Sequence, residues 1–134
     1  MNEQAFYRVS VKGVAFDAEG RLLLAREDND IWEMLGGGLD HGEDPRACLV
    51  REIQEETGIK VLNVSENPIG FVTVPKANGS HQIANVIYEV ILDNLDFVPS
   101  DECQELRYFS LDEAAKINAF PNVTKFLGIL ASRQ

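Results

Sequence analysis

The chain has 134 residues, 45% of them hydrophobic and 25% charged, which suits one soluble domain with a real hydrophobic core over residues 1–134. Its formal charge of −10 argues against a binder of the nucleic-acid backbone, which needs a basic stripe, and it would repel a free polyphosphate unless metal ions or local arginines intervene. Two cysteines, Cys48 and Cys103, make no disulfide framework and suit a reducing cytoplasm, and neither a signal sequence nor a run of about 18 apolar residues points to a membrane.

Residues 7–16 are rich in β-branched and aromatic types. Tyr7, Val9 and Val11 alternate with Arg8, Ser10 and Lys12, the pattern of a half-buried strand. Gly13 interrupts it, as at a bulge or a close backbone approach. A turn at 17–20 and the apolar run 21–26 together predict a hairpin. After a polar loop at 27–30, residues 31–35 form a short extended piece that Gly36, Gly37 and Gly38 break into a loop. Trp32 reads as core packing or as a stacking platform near the site.

Asp44 is a natural N-cap, Pro45 fits the first helical position, and Gly58 fits a left-handed C-terminal residue. They bound a helix over about 45–57. At 100° per residue, Leu49, Val50, Ile53 and Thr57 share a core face, and Cys48, Glu52, Glu55 and Glu56 fall opposite. Three glutamates at the negative end of a helix repel one another and the macrodipole. Arg51 cannot neutralise all three, so a divalent cation is the expected partner.

Strands follow at 60–64 and 69–74, and the Asn78-Gly79 turn leads into the long β-rich run 82–92, a candidate central strand. A loop covers 93–103 and a short strand 106–109. Ser110 and Glu113 form a capping box for a helix over 111–117, and Pro121 opens a last helix on Val123, Phe126, Leu127 and Leu130. The whole predicts an α+β fold, or an α/β/α sandwich, with a mixed sheet between helices.

Residues 37–59 resemble a complete Nudix box: Gly37, five residues, Glu43, seven residues, then Arg51-Glu52-Ile53-Gln54-Glu55-Glu56-Thr57-Gly58-Ile59. Leu35 departs from the proline that often precedes the family's paired glycines. The resemblance covers essentially the whole chain. It implies the Nudix sandwich and hydrolysis of a nucleoside diphosphate linked to another moiety, of the nucleotide-sugar or ADP-ribose type, or of a nucleoside triphosphate. It also implies that Glu52 and Glu56 ligate Mg2+ or Mn2+, and that Glu55 ligates metal or assists proton removal. Arg51 would then hold a glutamate, and Glu43 would brace the loop with a ligand role open to it. Gly37, with Gly38 beside it, would let backbone approach the substrate. A late-loop acid often joins such sites, and Glu102 fits first, Glu105 second.

This chemistry suits the residues. Hard divalent cations take carboxylate oxygens and bridge to phosphate, so an attacking water needs only a glutamate or metal hydroxide as base. Arg26 ends a strand near the same region and reads equally as a phosphate contact or a surface charge. Pro75 stands 16 residues past Ile59, a weak pointer to ADP-ribose. The expected partner is a small nucleotide, with neither nucleic-acid polymer nor membrane, and small members of the family are often homodimers. The competing reading is a non-catalytic Nudix-like module that senses a nucleotide.

Overall fold

The computed structural model describes residues 4–133. Its spine is the strand β7 (Gln82–Leu92), the long β-rich run of the sequence. Strand β1 (Tyr7–Val14) lies parallel to it, from Tyr7 opposite Gln82 to Val14 opposite Glu89. On the other edge of β7, β6 (Gly70–Pro75) pairs antiparallel through the turn at Asn78-Gly79, and β5 (Val61–Val64) pairs with the strand's end. The free edge of β1 is taken by β4 (Leu35–Gly38), antiparallel. A smaller antiparallel sheet has β2 (Leu22–Arg26) between β3 (Trp32–Glu33) and β8 (Glu105–Phe109).

Helix α1 (Pro45–Thr57) packs on β1, β4 and β5, and helix α3 (Pro121–Ser132) on β6, with the short α2 (Leu111–Ala114) beside it. Two apolar clusters follow. One joins Val11, Leu49, Ile53 and Val90; the other joins Val14, Val72, Ile87, Val123 and Phe126. A mixed sheet with helix-covered cores on both faces is an α/β/α sandwich of the α+β class, as expected from the sequence. No helix among the described residues is long and apolar enough to cross a membrane.

Four local expectations are corrected. β1 is not half-buried: its first residues are exposed, but Val11 to Val14 are buried, with Val11 in the cluster under α1 and Val14 in the second apolar cluster on the other face. Lys12 is therefore a charge inside the sheet, 8% exposed. Gly13 marks a close approach, since a Cβ there would stand 3.0–3.3 Å from Val90, Leu49 and Ile53. β1 and β2 form no regular hairpin; they meet through the Phe16–Leu22 bridge and then join different sheets. The three glycines form no loop but strand β4, with Gly36, Gly37 and Gly38 opposite Lys12, Val11 and Ser10. Finally, α2 stops at Ala114 rather than 117, although its capping box is present.

Candidate active site

The site is built on α1, whose ends are fixed by local chemistry. The Asp44 carboxylate accepts from the Ala47 N–H at 3.0 Å, Pro45 stands in the first turn, and Gly58 closes the helix in the left-handed conformation. Leu49, Ile53 and Thr57 are fully buried, and the Thr57 hydroxyl donates to the Ile53 carbonyl at 2.6 Å. A helix held this firmly can present carboxylates in fixed positions.

The face opposite those residues is partly covered: Cys48 and Glu56 are buried, Glu52 is half-buried and Glu55 is exposed. Strand β4 covers the buried part, leaving Cys48 inaccessible and Glu56 only 7% exposed. The contact is close because the strand is glycine. A Cβ at Gly37 would stand 2.6 Å from the Glu52 carboxylate, so any side chain there displaces it. Gly36, at φ +127°, donates its N–H to Glu56 Oε1 at 2.8 Å. Cys48 donates weakly to the Gly38 carbonyl at 3.6 Å, and burial beside Glu43 pushes its thiol pKa up to about 11, as befits a packing residue.

Arg51 gathers the acids around it. Its guanidinium grips Glu43 with two hydrogen bonds of 2.9 Å, donates to Glu55 at 3.0 Å, and lies 3.3 Å from Glu52. Glu43 in turn accepts from the Asp40 N–H at 3.1 Å, so the segment before the helix is pinned to its middle. Hydrogen bonding to Arg51 holds the Glu43 carboxyl below the usual range.

A late loop completes the cluster. The last carbonyls of α1 lack partners within the helix. Ser100 Oγ donates to the Glu56 carbonyl at 2.7 Å, and the Val98 N–H donates to the Thr57 carbonyl at 2.8 Å. Docked in this way, the loop brings Glu102 against Glu56. Burial pushes Glu56 up to about 9; the Gly36 N–H and Lys12 oppose the shift and Glu102 adds to it. Burial likewise raises Glu52. A cleft of about 370 Å³ is lined by Glu27, Glu52, Glu56, Glu102, Lys12 and the Gly36–Gly38 backbone.

Of the residues singled out from sequence, Glu52, Glu56, Glu102, Gly37 and Gly38 thus line one cleft. Glu55 lies beside it, exposed, with Glu52, Glu56 and Glu102 along a neighbouring groove. Glu43 contributes through Arg51. Arg26 does not line the cleft: it bonds Glu105 at 3.2 Å and Asp30 at 2.9 Å. Glu105 is engaged by Arg26 and Arg107, and those bonds outweigh its partial burial to keep its carboxyl low. Trp32 is core: it is 7% exposed, with its ring 4.9 Å from Phe109 in an edge-on arrangement. The sequence reading missed Glu27 and Lys12. Glu27 sits in a polar loop with no motif, but the lysine had a signal, a charge amid the apolar centre of a strand.

The donors suit Mg2+ or Mn2+. All are carboxylate oxygens, the hard ligands such ions prefer. Among the described residues no three His, Cys, Asp or Glu side chains are already drawn into a metal cage. Mg2+ does not require one, since it is typically held by one or two carboxylates together with waters and substrate phosphates. Glu56 is a buried acid whose charge has no full partner in the protein, as a cation ligand would be.

Fold and site together define an α/β/α sandwich with an acidic cleft between a glycine strand and a glutamate helix. The model of the NUDIX domain matches residues 6–127, and the chain belongs to that family. A MutT-like protein of Streptomyces ambofaciens is 48% identical over 56 residues, covering 41% of this chain and 36% of that protein. An RNA pyrophosphohydrolase of Roseobacter denitrificans is 41% identical over 56 residues, covering 40% of this chain and 35% of the relative. The matched segments thus span little more than a third of these relatives. The crystal structure of the MutT protein from Methanosarcina mazei Go1 superposes with a TM-score of 0.80 at 19% identity, covering 99% of both chains. At that identity it speaks for the fold alone.

Proposed function

We propose that the protein is a divalent-cation-dependent pyrophosphohydrolase. It would cut the anhydride of a nucleoside diphosphate linked to another moiety, or of a nucleoside triphosphate. The observation that carries this reading is the convergence of Glu52, Glu56 and Glu102 on one cleft whose lining includes the glycine backbone of Gly36–Gly38. Glu52, Glu56 and Glu102 would hold Mg2+ or Mn2+, with Glu55 beside them. The bound cation would offset phosphate charge and acidify a water. Arg51 keeps Glu52, Glu55 and Glu43 in register, and Gly37 leaves room for the Glu52 carboxylate. Glu55, an exposed carboxylate on the neighbouring groove, would ligate metal or accept the proton of the attacking water.

The relatives' names support anhydride chemistry, and one of them names RNA. A small nucleotide fits this chain better. Its net charge is −10, and four glutamates line the cleft with a single lysine, so no basic track is present there for a polymer backbone. The free Cys48 and Cys103 favour a reducing cytoplasm.

The decisive experiment is a substrate panel with Mg2+ or Mn2+ and two coupling enzymes. Phosphate released only after alkaline phosphatase identifies a nucleoside diphosphate derivative. Phosphate released by inorganic pyrophosphatase identifies a triphosphate. Glu56→Gln should abolish turnover with the fold intact; wild-type rates in that variant would remove the site assignment. Tight nucleotide binding without turnover across the panel would favour the sensing module instead.

A further inference from the structure

A second cavity of about 330 Å³ adjoins the acidic cleft, and Lys12 lines both. The walls of this cavity include the apolar Val74, Pro75, Phe120 and Pro121. Beside Lys12, a buried polar network is closed on itself. Glu33 Oε1 accepts from the Met34 N–H at 2.8 Å, and Glu33 Oε2 accepts from Asn122 Nδ2 at 3.2 Å. Asn122 Nδ2 also donates to Asn85 Oδ1 at 3.0 Å, and Asn122 Oδ1 accepts from the Val123 N–H at 2.9 Å.

The Lys12 ammonium is left outside that network. It forms an ion pair with Glu33 Oε2 at 3.6 Å, longer than a hydrogen bond, and among the described residues it donates no hydrogen bond. The residue is nonetheless more than nine-tenths buried. A buried lysine kept only to stabilise the fold would be expected to spend its three donors on nearby oxygens. Here they make no hydrogen bond, on a residue that lines both cavities.

We propose that Lys12 is a substrate-binding residue that grips the phosphoryl group attached to the nucleoside, at the junction of the acidic cleft and the second cavity. The inference rests on the pyrophosphohydrolase reading and deepens it. Glu52, Glu56 and Glu102, with their cation, would manage the charge of the scissile anhydride. Lys12 is the only Lys or Arg among the residues lining that cleft, and it would meet the phosphate on the nucleoside side. A charged donor paired with a phosphate oxygen gives a strong, charge-assisted bond.

The test is direct binding, measured by calorimetry without divalent cation. The probes are AMP, GMP, CMP and UMP beside the corresponding nucleosides. For the monophosphate that wild type binds most tightly, Lys12→Met should weaken binding at least tenfold and leave the matching nucleoside within twofold. Lys12→Arg should restore much of the loss. Glu33→Gln, which keeps the cation and removes its acidic neighbour, should tighten monophosphate binding. Equal loss of nucleoside and monophosphate binding in Lys12→Met overturns the proposal. If Lys12→Met does not fold, unchanged or weaker monophosphate binding in Glu33→Gln overturns it, as does failure of wild type to bind any of the four monophosphates. Because no turnover is read, the outcome is separable from that of the substrate panel: monophosphate binding lost in Lys12→Met with no hydrolysis by wild type would fail the enzymatic reading alone.

Discussion

The Ser100 hydroxyl donates to the Glu56 carbonyl at 2.7 Å, joining two segments 44 residues apart in sequence. The bond uses a carbonyl that the helix end leaves without a partner, and it sets the loop that carries Glu102 against the glutamates of α1. Ser100→Ala should therefore cost little stability, about 1 kcal/mol by denaturant titration. It should weaken Mg2+ activation about tenfold, a loss of about 1.4 kcal/mol in cation binding. An unchanged Mg2+ dependence would separate the loop from the site.

Gly37→Ala tests the glycine strand. The added methyl carbon would fall 2.6 Å from the Glu52 carboxylate. Since misplacing a reacting group by about 1 Å can cost roughly 100-fold in rate, turnover should drop by about that factor. Circular dichroism should still report α1, because its core face is untouched. Near-wild-type turnover would show that Glu52 can move freely.

Arg51→Lys retains the charge but loses the planar fork that holds Glu43 and Glu55 together. Turnover should fall at least tenfold, and Arg51→Met should fall further. If lysine preserved full activity, positive charge alone would account for the role of Arg51.

The metal-free protein should lose stability with rising pH through Glu56. Burial raises its carboxyl from the usual 4.5 to about 9, so between those values the folded state holds a proton that the unfolded chain has released. The contribution of this group to stability is complete below pH 4.5 and declines as pH rises toward 9, by up to about 1.4 kcal/mol per pH unit. Glu56→Gln should match wild type near pH 5 and exceed it near pH 8 when chelator is present. Identical pH slopes would deny the buried, protonated state.

Mg2+ should act in the opposite sense. A ligand that binds only the folded form stabilises it by mass action. Millimolar Mg2+ should raise the melting temperature of wild type at pH 8, and Glu56→Gln should not respond. An equal rise in both would place the cation elsewhere.

The sequence alone determined α1 from Pro45 to Thr57, because its signals are local: an Asp44 cap, a proline in the first turn, apolar residues at helical spacing and Gly58 at the end. It likewise determined β7 from Gln82 to Leu92 and the family pattern from Gly37 to Ile59. Tertiary structure alone decided what each side chain meets. Three glycines that read as a loop became strand β4 because the free edge of β1 offered hydrogen bonds, and their missing side chains let α1 come close. Glu56, on the face opposite the helix's apolar residues, became buried beneath that strand. Glu102 and Glu105, three residues apart, were divided between the cleft and an arginine pair. Lys12 passed as one member of an alternating strand until the closed fold buried it beside Glu33, lining two cavities. Periodicity and capping depend on neighbours within a turn or two, whereas burial and charge pairing depend on contacts that only the closed fold creates.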